Sequence, residues 1–249
     1  MERANVYVVT SWDDTTKLDL KICELLEKYN LKGTFFVVNN WIGKEISRDE
    51  LRHISEEHEI GAHTLDHTDL TQVSEDVARE QIFKSKVLLE AELERPVVSF
   101  AYPKGHYNKI HIGMVRNANY VCARTTKPFW TNHFENPYEI NVTLWAYPHA
   151  LRDIRGMFRL FNLSPNLVVN PLRIKKWSEL GKQIFDVLLE SGGVFHIFGH
   201  AWQVEEIDGW RKLEDLLAHI AFRKNVMYAT MTEHAKLCYY KRAKQTKLL

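Results

Sequence analysis

Several features are scarce in this chain of 249 residues, and each scarcity excludes a class of protein. There are only three cysteines, Cys23, Cys122 and Cys238, and no two have a paired spacing. This argues against a small secreted domain held together by disulfides. No apolar run approaches the ~18 residues that cross a bilayer, and the N-terminal MERANVYVV is too soon interrupted for a signal peptide. The sequence therefore predicts a cytoplasmic protein without a transmembrane segment.

An excess of charge of one sign is also lacking. The formal net charge is +1, which argues against a general nucleic-acid binder. The charge is uneven, because residues 151–182 and 236–249 each carry about +5 and the remainder about −9. Arg152, Arg155 and Arg159 share one helical face in the first of these segments. A solvated face is the simpler interpretation, and contact with a phosphate or an anionic membrane is the alternative.

Linkers rich in proline or glycine are absent as well, and strand-like and helix-like segments alternate along the chain. The run NVYVVTSW is typical of a buried strand, and LDLKICELLEKY repeats apolar residues with helical spacing. Ser47 and Ser74 are candidate N-caps, helices are expected around residues 150–161 and 177–190, and residues 125–147 form a looser stretch. Six or seven strand–helix units predict an α/β protein with one barrel-like domain over residues 1–249.

Four polar clusters follow predicted strands, where barrels usually place their chemistry. SWDDT puts Asp13 and Asp14 at the end of the first strand, although adjacent aspartates are also common in turns. HTLDH sets His63 and His67 four residues apart, so both imidazoles can face one metal. Chance proximity among 12 histidines is the alternative. Together with Asp14, the pair would supply the two histidines and one carboxylate of an open catalytic metal site.

The third and fourth clusters add groups for proton transfer and charge stabilisation. SFAYPKGHYN ends its strand with Pro103 and Gly105, in a turn whose backbone N–H groups can face the barrel mouth. GGVFHIFGH carries His196 inside an apolar strand. A lone buried histidine is more often a satisfied core residue, but at the mouth of the same barrel it is a candidate general acid.

The order SWDD, HTLDH, FAYPKGHYN, VFHIFGH resembles the successive motifs of the polysaccharide deacetylases, the NodB-homology carbohydrate esterases, over about residues 6–200. The FAYP form resembles a subgroup of that family. The resemblance implies a distorted, partly open (β/α) barrel of about seven parallel strands. It also implies one divalent metal, zinc first and Co²⁺, Mn²⁺ or Ni²⁺ as alternatives, and hydrolysis of the amide of an N-acetylated sugar. A cytoplasmic enzyme of this kind would act on a nucleotide-linked or lipid-linked sugar.

The resemblance also implies residue roles. Asp13 is the general base, and Asp14, His63 and His67 are the metal ligands. Thr64 braces the histidine loop, the Lys104 backbone N–H donates to the oxyanion, and His196 is the acid. The chain has Ala101 where many relatives carry the arginine that orients the base. Trp145 and Asp153 are the candidates for orienting the acid.

Aromatic side chains near these motifs can stack on a sugar ring, or can serve only for packing. The candidates are Trp12, Tyr102, Tyr107, Trp130 and Trp202. Three hypotheses follow: an N-deacetylase, a related amidohydrolase such as a formyl-sugar deformylase or an allantoinase-like enzyme, and a metal-binding but idle glycan-binding module.

Overall fold

Eight strands form one parallel sheet in the part of the chain that this computed structural model describes, residues 6–150, 156, 160 and 176–246. The strands are β1 (Val6–Asp13), β2 (Thr34–Val37), β3 (Glu59–Ala62), β4 (Ser99–Ala101), β5 (Cys122–Arg124), β6 (Leu144–Trp145), β7 (Gly193–Gly199) and β8 (Val226–Tyr228). The helices are α1 (Asp19–Lys28), α2 (Arg48–Glu57), α3 (Glu75–Leu93), α4 (Lys109–Asn117), α5 (Trp177–Ser191), α6 (Ala201–Glu206), α7 (Trp210–Ile220) and α8 (Met231–Thr246). Short 3₁₀ turns lie at Asn39–Trp41, Leu70–Gln72 and Pro103–Gly105.

The central strand is β1, and all eight of its residues are buried. It pairs with β7 along nearly its whole length. Its other side pairs with β8 in the first half and with β2 in the second half. The strand order β5-β4-β3-β2-β1-β7-β6 leaves β5 and β6 unpaired with each other within the described residues. The predicted partly open (β/α) barrel is thereby confirmed, with seven strands on this path and β8 as an eighth.

Local sequence signals set several boundaries. Ser47 caps α2 in a capping box with Glu50, and Ser74 accepts a hydrogen bond from the Val77 N–H at the start of α3, so both predicted N-caps are confirmed. The helix expected at 177–190 is α5. The short strand β6 lies inside the stretch that the sequence indicated as loose. The helix expected at 150–161 falls almost entirely outside the described residues.

The core lies between the sheet and the surrounding helices. Fully buried aromatic side chains from both halves of the chain, including Phe35, Phe100 and Phe195, contribute to it. Within the described ranges, no helix combines the length and the apolar composition needed to cross a membrane.

Candidate active site

The polar residues predicted to act together lie where parallel strands end, at the edge of the barrel that such folds use for chemistry. Asp13 is the last residue of β1, and Asp14 follows it. His63 and His67 follow β3, Lys104 follows β4, Arg124 ends β5, and His200 follows β7. The ends of five strands of the sheet therefore supply one site.

Asp14, His63 and His67 each offer a ligand atom, and these atoms lie within 4.8 Å of one another. Asp14 Oδ1 is 3.8 Å from His63 Nε2 and 3.4 Å from His67 Nε2. The other ring nitrogen of His63, Nδ1, is 2.8 Å from the carbonyl oxygen of Ala101. Because a carbonyl oxygen only accepts hydrogen bonds, Nδ1 carries the proton and the Nε2 lone pair faces Asp14. A metal-binding histidine needs this tautomer.

Two of these ligand atoms, Asp14 Oδ1 and His63 Nε2, are buried without a hydrogen-bond partner among the described residues. Burial lowers the pKa of His63 to about 4, so its imidazole is neutral near pH 7. Burial also raises the pKa of the Asp14 carboxyl. Buried polar atoms without partners are costly, and a cation between them would remove that cost. Two imidazoles and one carboxylate are a donor set that fits a catalytic zinc ion.

The histidine loop is held by hydrogen bonds and by a left-handed backbone. Thr64 and His67 have φ values of +66° and +56°. Thr64 Oγ1 accepts a hydrogen bond from the Thr68 N–H at 3.1 Å, which closes the loop. From α3, Gln81 Oε1 accepts the N–H groups of Leu65 and Asp66. These contacts fix the direction of both imidazoles.

Asp13 forms a buried ion pair with Arg124, whose guanidinium donates to both carboxylate oxygens. Both side chains are almost fully buried. Burial alone would raise the pKa of Asp13, but the charge of Arg124 and its hydrogen bond hold that pKa below its usual value. Arg124 pairs in register with Ala101 on the neighbouring strand. The arginine missing from the third motif is therefore replaced from the next strand, a residue that the sequence did not reveal.

His200 and Trp202 lie on the other side of Asp14. His200 Nε2 is 3.8 Å from Asp14 Oδ2, and the Trp202 indole N–H donates to the same oxygen at 3.4 Å. The other ring nitrogen of His200 lies 2.6 Å from Gln203 Oε1, which orients the imidazole. His200 is therefore placed to exchange a proton with a group bound next to Asp14.

His196, the predicted acid, is placed elsewhere. It pairs in register with Val9, four residues before Asp13 on β1, and is only 1% exposed. Its Nε2 atom is 2.9 Å from Ser11 Oγ. Burial, with the nearby charge of Arg124 adding to it, lowers the pKa of His196 well below the usual value. The prediction that His196 reaches the substrate disagrees with this position, because β7 continues to Gly199 and leaves His196 inside the barrel.

Of the predicted sugar-stacking residues, Tyr102 and Trp12 are buried in the core. Tyr102 is completely buried, and its ring stacks on that of Tyr107 at 4.5 Å. Tyr107 is half-buried and donates to Glu139 at 2.9 Å. Trp12 is also completely buried. Tyr102 and Trp12 cannot contact a sugar in this structure, whereas Trp202 borders Asp14 and stays a candidate.

Of the remaining predicted residues, Lys104 lies near the site, Trp145 makes other contacts, and four others fall outside the described residues. Lys104 has a left-handed φ of +58°. Burial is the main cause that lowers the pKa of His67, and the charge of Lys104 lowers it further. The Trp145 indole donates to the Thr126 carbonyl at 2.8 Å, and its ring stacks on His149. Asp153 lies outside the described residues. So do Arg152, Arg155 and Arg159.

Comparison with known proteins agrees with the resemblance carried by the sequence motifs. Residues 2–123 match the profile of the polysaccharide deacetylase family. The chain is therefore similar to that family over just under half of its length. It is 22% identical over 120 residues to YxkH of Bacillus subtilis, a protein assigned to the polysaccharide deacetylases. It is 34% identical over 84 residues to a peptidoglycan-N-acetylglucosamine deacetylase of Bacillus cereus.

These similarities cover only part of each protein. The alignments span 47% and 33% of this chain, and 43% and 30% of those two relatives. A crystal structure of a Mycobacterium smegmatis protein assigned to the same class superimposes with a TM-score of 0.70, at 15% identity, over 97% of this chain and 92% of the other. That likeness shows the fold over almost the whole chain.

Proposed function

We propose that this chain is a metal-dependent hydrolase that removes the N-acetyl group from a sugar of a glycan or glycan precursor. The observation that carries the proposal is the ionised Asp13, held by Arg124, beside a ligand set with two unpartnered atoms. The Bacillus cereus relative is named for such a reaction on peptidoglycan. The carrier of the sugar stays a prediction, since the basic residues that motivated a phosphate lie outside the described ranges.

Asp14, His63 and His67 would hold the metal, which we propose to be zinc. When bound, it would act as a Lewis acid that polarises the acetyl carbonyl and lowers the pKa of a water molecule. Co²⁺, Mn²⁺ or Ni²⁺ would be substitutes with the same ligands.

The chain's own residues divide the proton transfers. Asp13 takes a proton from the attacking water, and Arg124 keeps the carboxylate ionised for that purpose. The Lys104 backbone N–H donates to the developing oxyanion. We propose His200 rather than His196 as the acid that protonates the leaving amine, because His200 is 3.8 Å from Asp14. Trp202 packs against the sugar.

A substrate screen tests the proposal. Purified protein with Zn²⁺, Co²⁺, Mn²⁺ or Ni²⁺ is incubated with chito-oligosaccharides, peptidoglycan fragments and N-acetylated nucleotide sugars. The proposal predicts acetate release. Formate from a formylated sugar would favour a deformylase, ureide hydrolysis an allantoinase-like enzyme, and binding without turnover an idle glycan-binding module.

A further inference from the structure

A second group of metal-ligating side chains lies away from the candidate active site. His133 lies in the irregular stretch between β5 and β6, and His234 and Cys238 are on α8. His133 Nδ1 is 3.2 Å from His234 Nε2, and Cys238 Sγ is 3.3 Å from each of these nitrogens. We propose that His133, His234 and Cys238 bind a second divalent metal, for which zinc is the best match.

The three separations are close to those around a zinc ion. A tetrahedral zinc with Zn–N bonds of ~2.0–2.1 Å and a Zn–S bond of ~2.3 Å holds two nitrogens about 3.3 Å apart. The same geometry holds nitrogen and sulfur about 3.6 Å apart. The observed values of 3.2 Å and 3.3 Å need little rearrangement to receive the ion. One thiolate and two imidazoles also match zinc in donor type.

Local structure explains why these residues meet. His234 and Cys238 are four residues apart on α8, so they share one face of the helix. The loop that carries His133 is tied to the sheet, because the Val194 N–H donates to the Thr131 carbonyl at 2.7 Å. The centroid of the Tyr7 ring is 5.3 Å from the ring centroids of both His133 and His234, so Tyr7 packs against both imidazoles. A metal here would join α8 to this loop, next to the start of β1.

The surroundings leave room for a fourth ligand. A cavity of about 350 Å³ is lined by His133 and His234 together with Asn132 and Glu135. His133 is exposed, whereas His234 and Cys238 are 1% and 5% exposed. Metal can therefore enter from solvent on the His133 side, and water or a side chain of the cavity can complete the coordination.

The proposed site is separate from the first cluster. Tyr7, which touches the second cluster, is six residues before Asp13 on β1. At ~3.3 Å per residue in a strand, Tyr7 and Asp13 are about 20 Å apart, so the two clusters lie at opposite ends of β1. The two sites therefore bind metal independently, and only the second contains sulfur.

Cobalt substitution tests this proposal without any assay of activity. The metal-free full chain is titrated with Co²⁺, and the near-ultraviolet charge-transfer absorption of a cobalt–thiolate bond is recorded. We expect this band in the wild type, its loss in Cys238→Ser and its retention in Cys23→Ser, the matched control. His133→Ala, at an exposed position, should bind Co²⁺ at least tenfold more weakly, and circular dichroism should show all three variants folded.

The outcomes are decisive in either direction. Absence of the band in the wild type, or its persistence in Cys238→Ser, would mean that the three side chains are a hydrogen-bonded thiol–imidazole cluster and would overturn the proposal. Loss of the band in Cys238→Ser together with one fewer bound zinc by elemental analysis would support it. Because Asp14, His63 and His67 contain no sulfur, a failure here is distinguishable from a failure of the proposed deacetylase.

Discussion

The two histidine clusters have similar ligand spacing but different surroundings. Asp14, His63 and His67 come from turns after strands, and two of them have positive φ. Beside them lie the Asp13 carboxylate, held ionised by Arg124, and a third imidazole, that of His200. The other cluster takes two of its three members from one helix and packs against the aromatic rings of Tyr7 and Phe134. The comparison teaches that proton-transfer groups beside the ligands, and not the ligands alone, indicate an active site.

The largest effect should follow from removing the ligands of the first cluster. In His63→Ala combined with His67→Ala, we expect acetate release to fall to the level of the buffer control, because Asp14 alone cannot hold the metal. Elemental analysis should find one zinc left per chain. The control, Cys238→Ser, should lose the other zinc and keep deacetylation. Two zinc ions in the double variant would show that the ligands are assigned wrongly.

A second prediction separates His200 from His196. His200→Asn should lower kcat for an N-acetyl sugar by roughly 10²–10⁴, the usual contribution of a general acid. An aryl acetate should be affected much less, since a phenolate leaves without a proton. His196→Asn should show no such contrast between the two substrates. An equal loss on both substrates in His200→Asn, with metal retained, would rule out this role.

A third prediction concerns the Asp13–Arg124 pair. Arg124→Met leaves a buried carboxylate without its counter-charge, which should reduce the free energy of unfolding by about 3–5 kcal/mol in denaturant titrations. Adding Asp13→Asn should restore part of that loss, because the uncompensated charge is then gone. If the double variant is no more stable than Arg124→Met, the pair is not coupled as the structure shows.

The smallest predicted effect concerns the stability of the metal-free barrel in acid. It distinguishes unfolding of the barrel from simple loss of metal. His58 lies away from both clusters, and burial lowers its pKa to about 4. Above pH 6.5, the pKa of this histidine in the unfolded chain, the imidazole is neutral in both states and the contribution of His58 to stability is complete. As the pH falls toward 4, the unfolded chain binds a proton that the folded chain does not, and the stability is lost. The loss is about 3 kcal/mol.

Chelator-treated protein gives the measurement for His58. Denaturant titrations from pH 7 to pH 4 should show a steep fall in stability for the wild type and a shallower one for His58→Gln. His53→Gln, at an exposed position of α2, the helix that ends just before His58, is the control. An unchanged slope in His58→Gln would assign the acid sensitivity to other groups.

The first cluster was predictable from sequence because each of its residues follows a recognisable strand within a short motif. Arg124 was not, since its contact with Asp13 depends on the register of β4 and β5 rather than on a motif. The strand-end rule that located Asp14 and His63 favours His200 over His196, because His200 follows the end of β7 whereas His196 lies inside the strand. In the second cluster the i, i+4 spacing of His234 and Cys238 was visible, but His133 joins them only through the tertiary fold.

The central claim is that a metal at the first cluster and the carboxylate of Asp13 act together in amide hydrolysis. The most direct test compares acetate release from a chito-oligosaccharide by chelator-treated and zinc-restored protein, for the wild type and for Asp13→Asn. We predict that zinc restores the wild type, and that Asp13→Asn binds zinc equally and stays at the background rate. Equal acetate release by the wild type with and without metal would contradict the account.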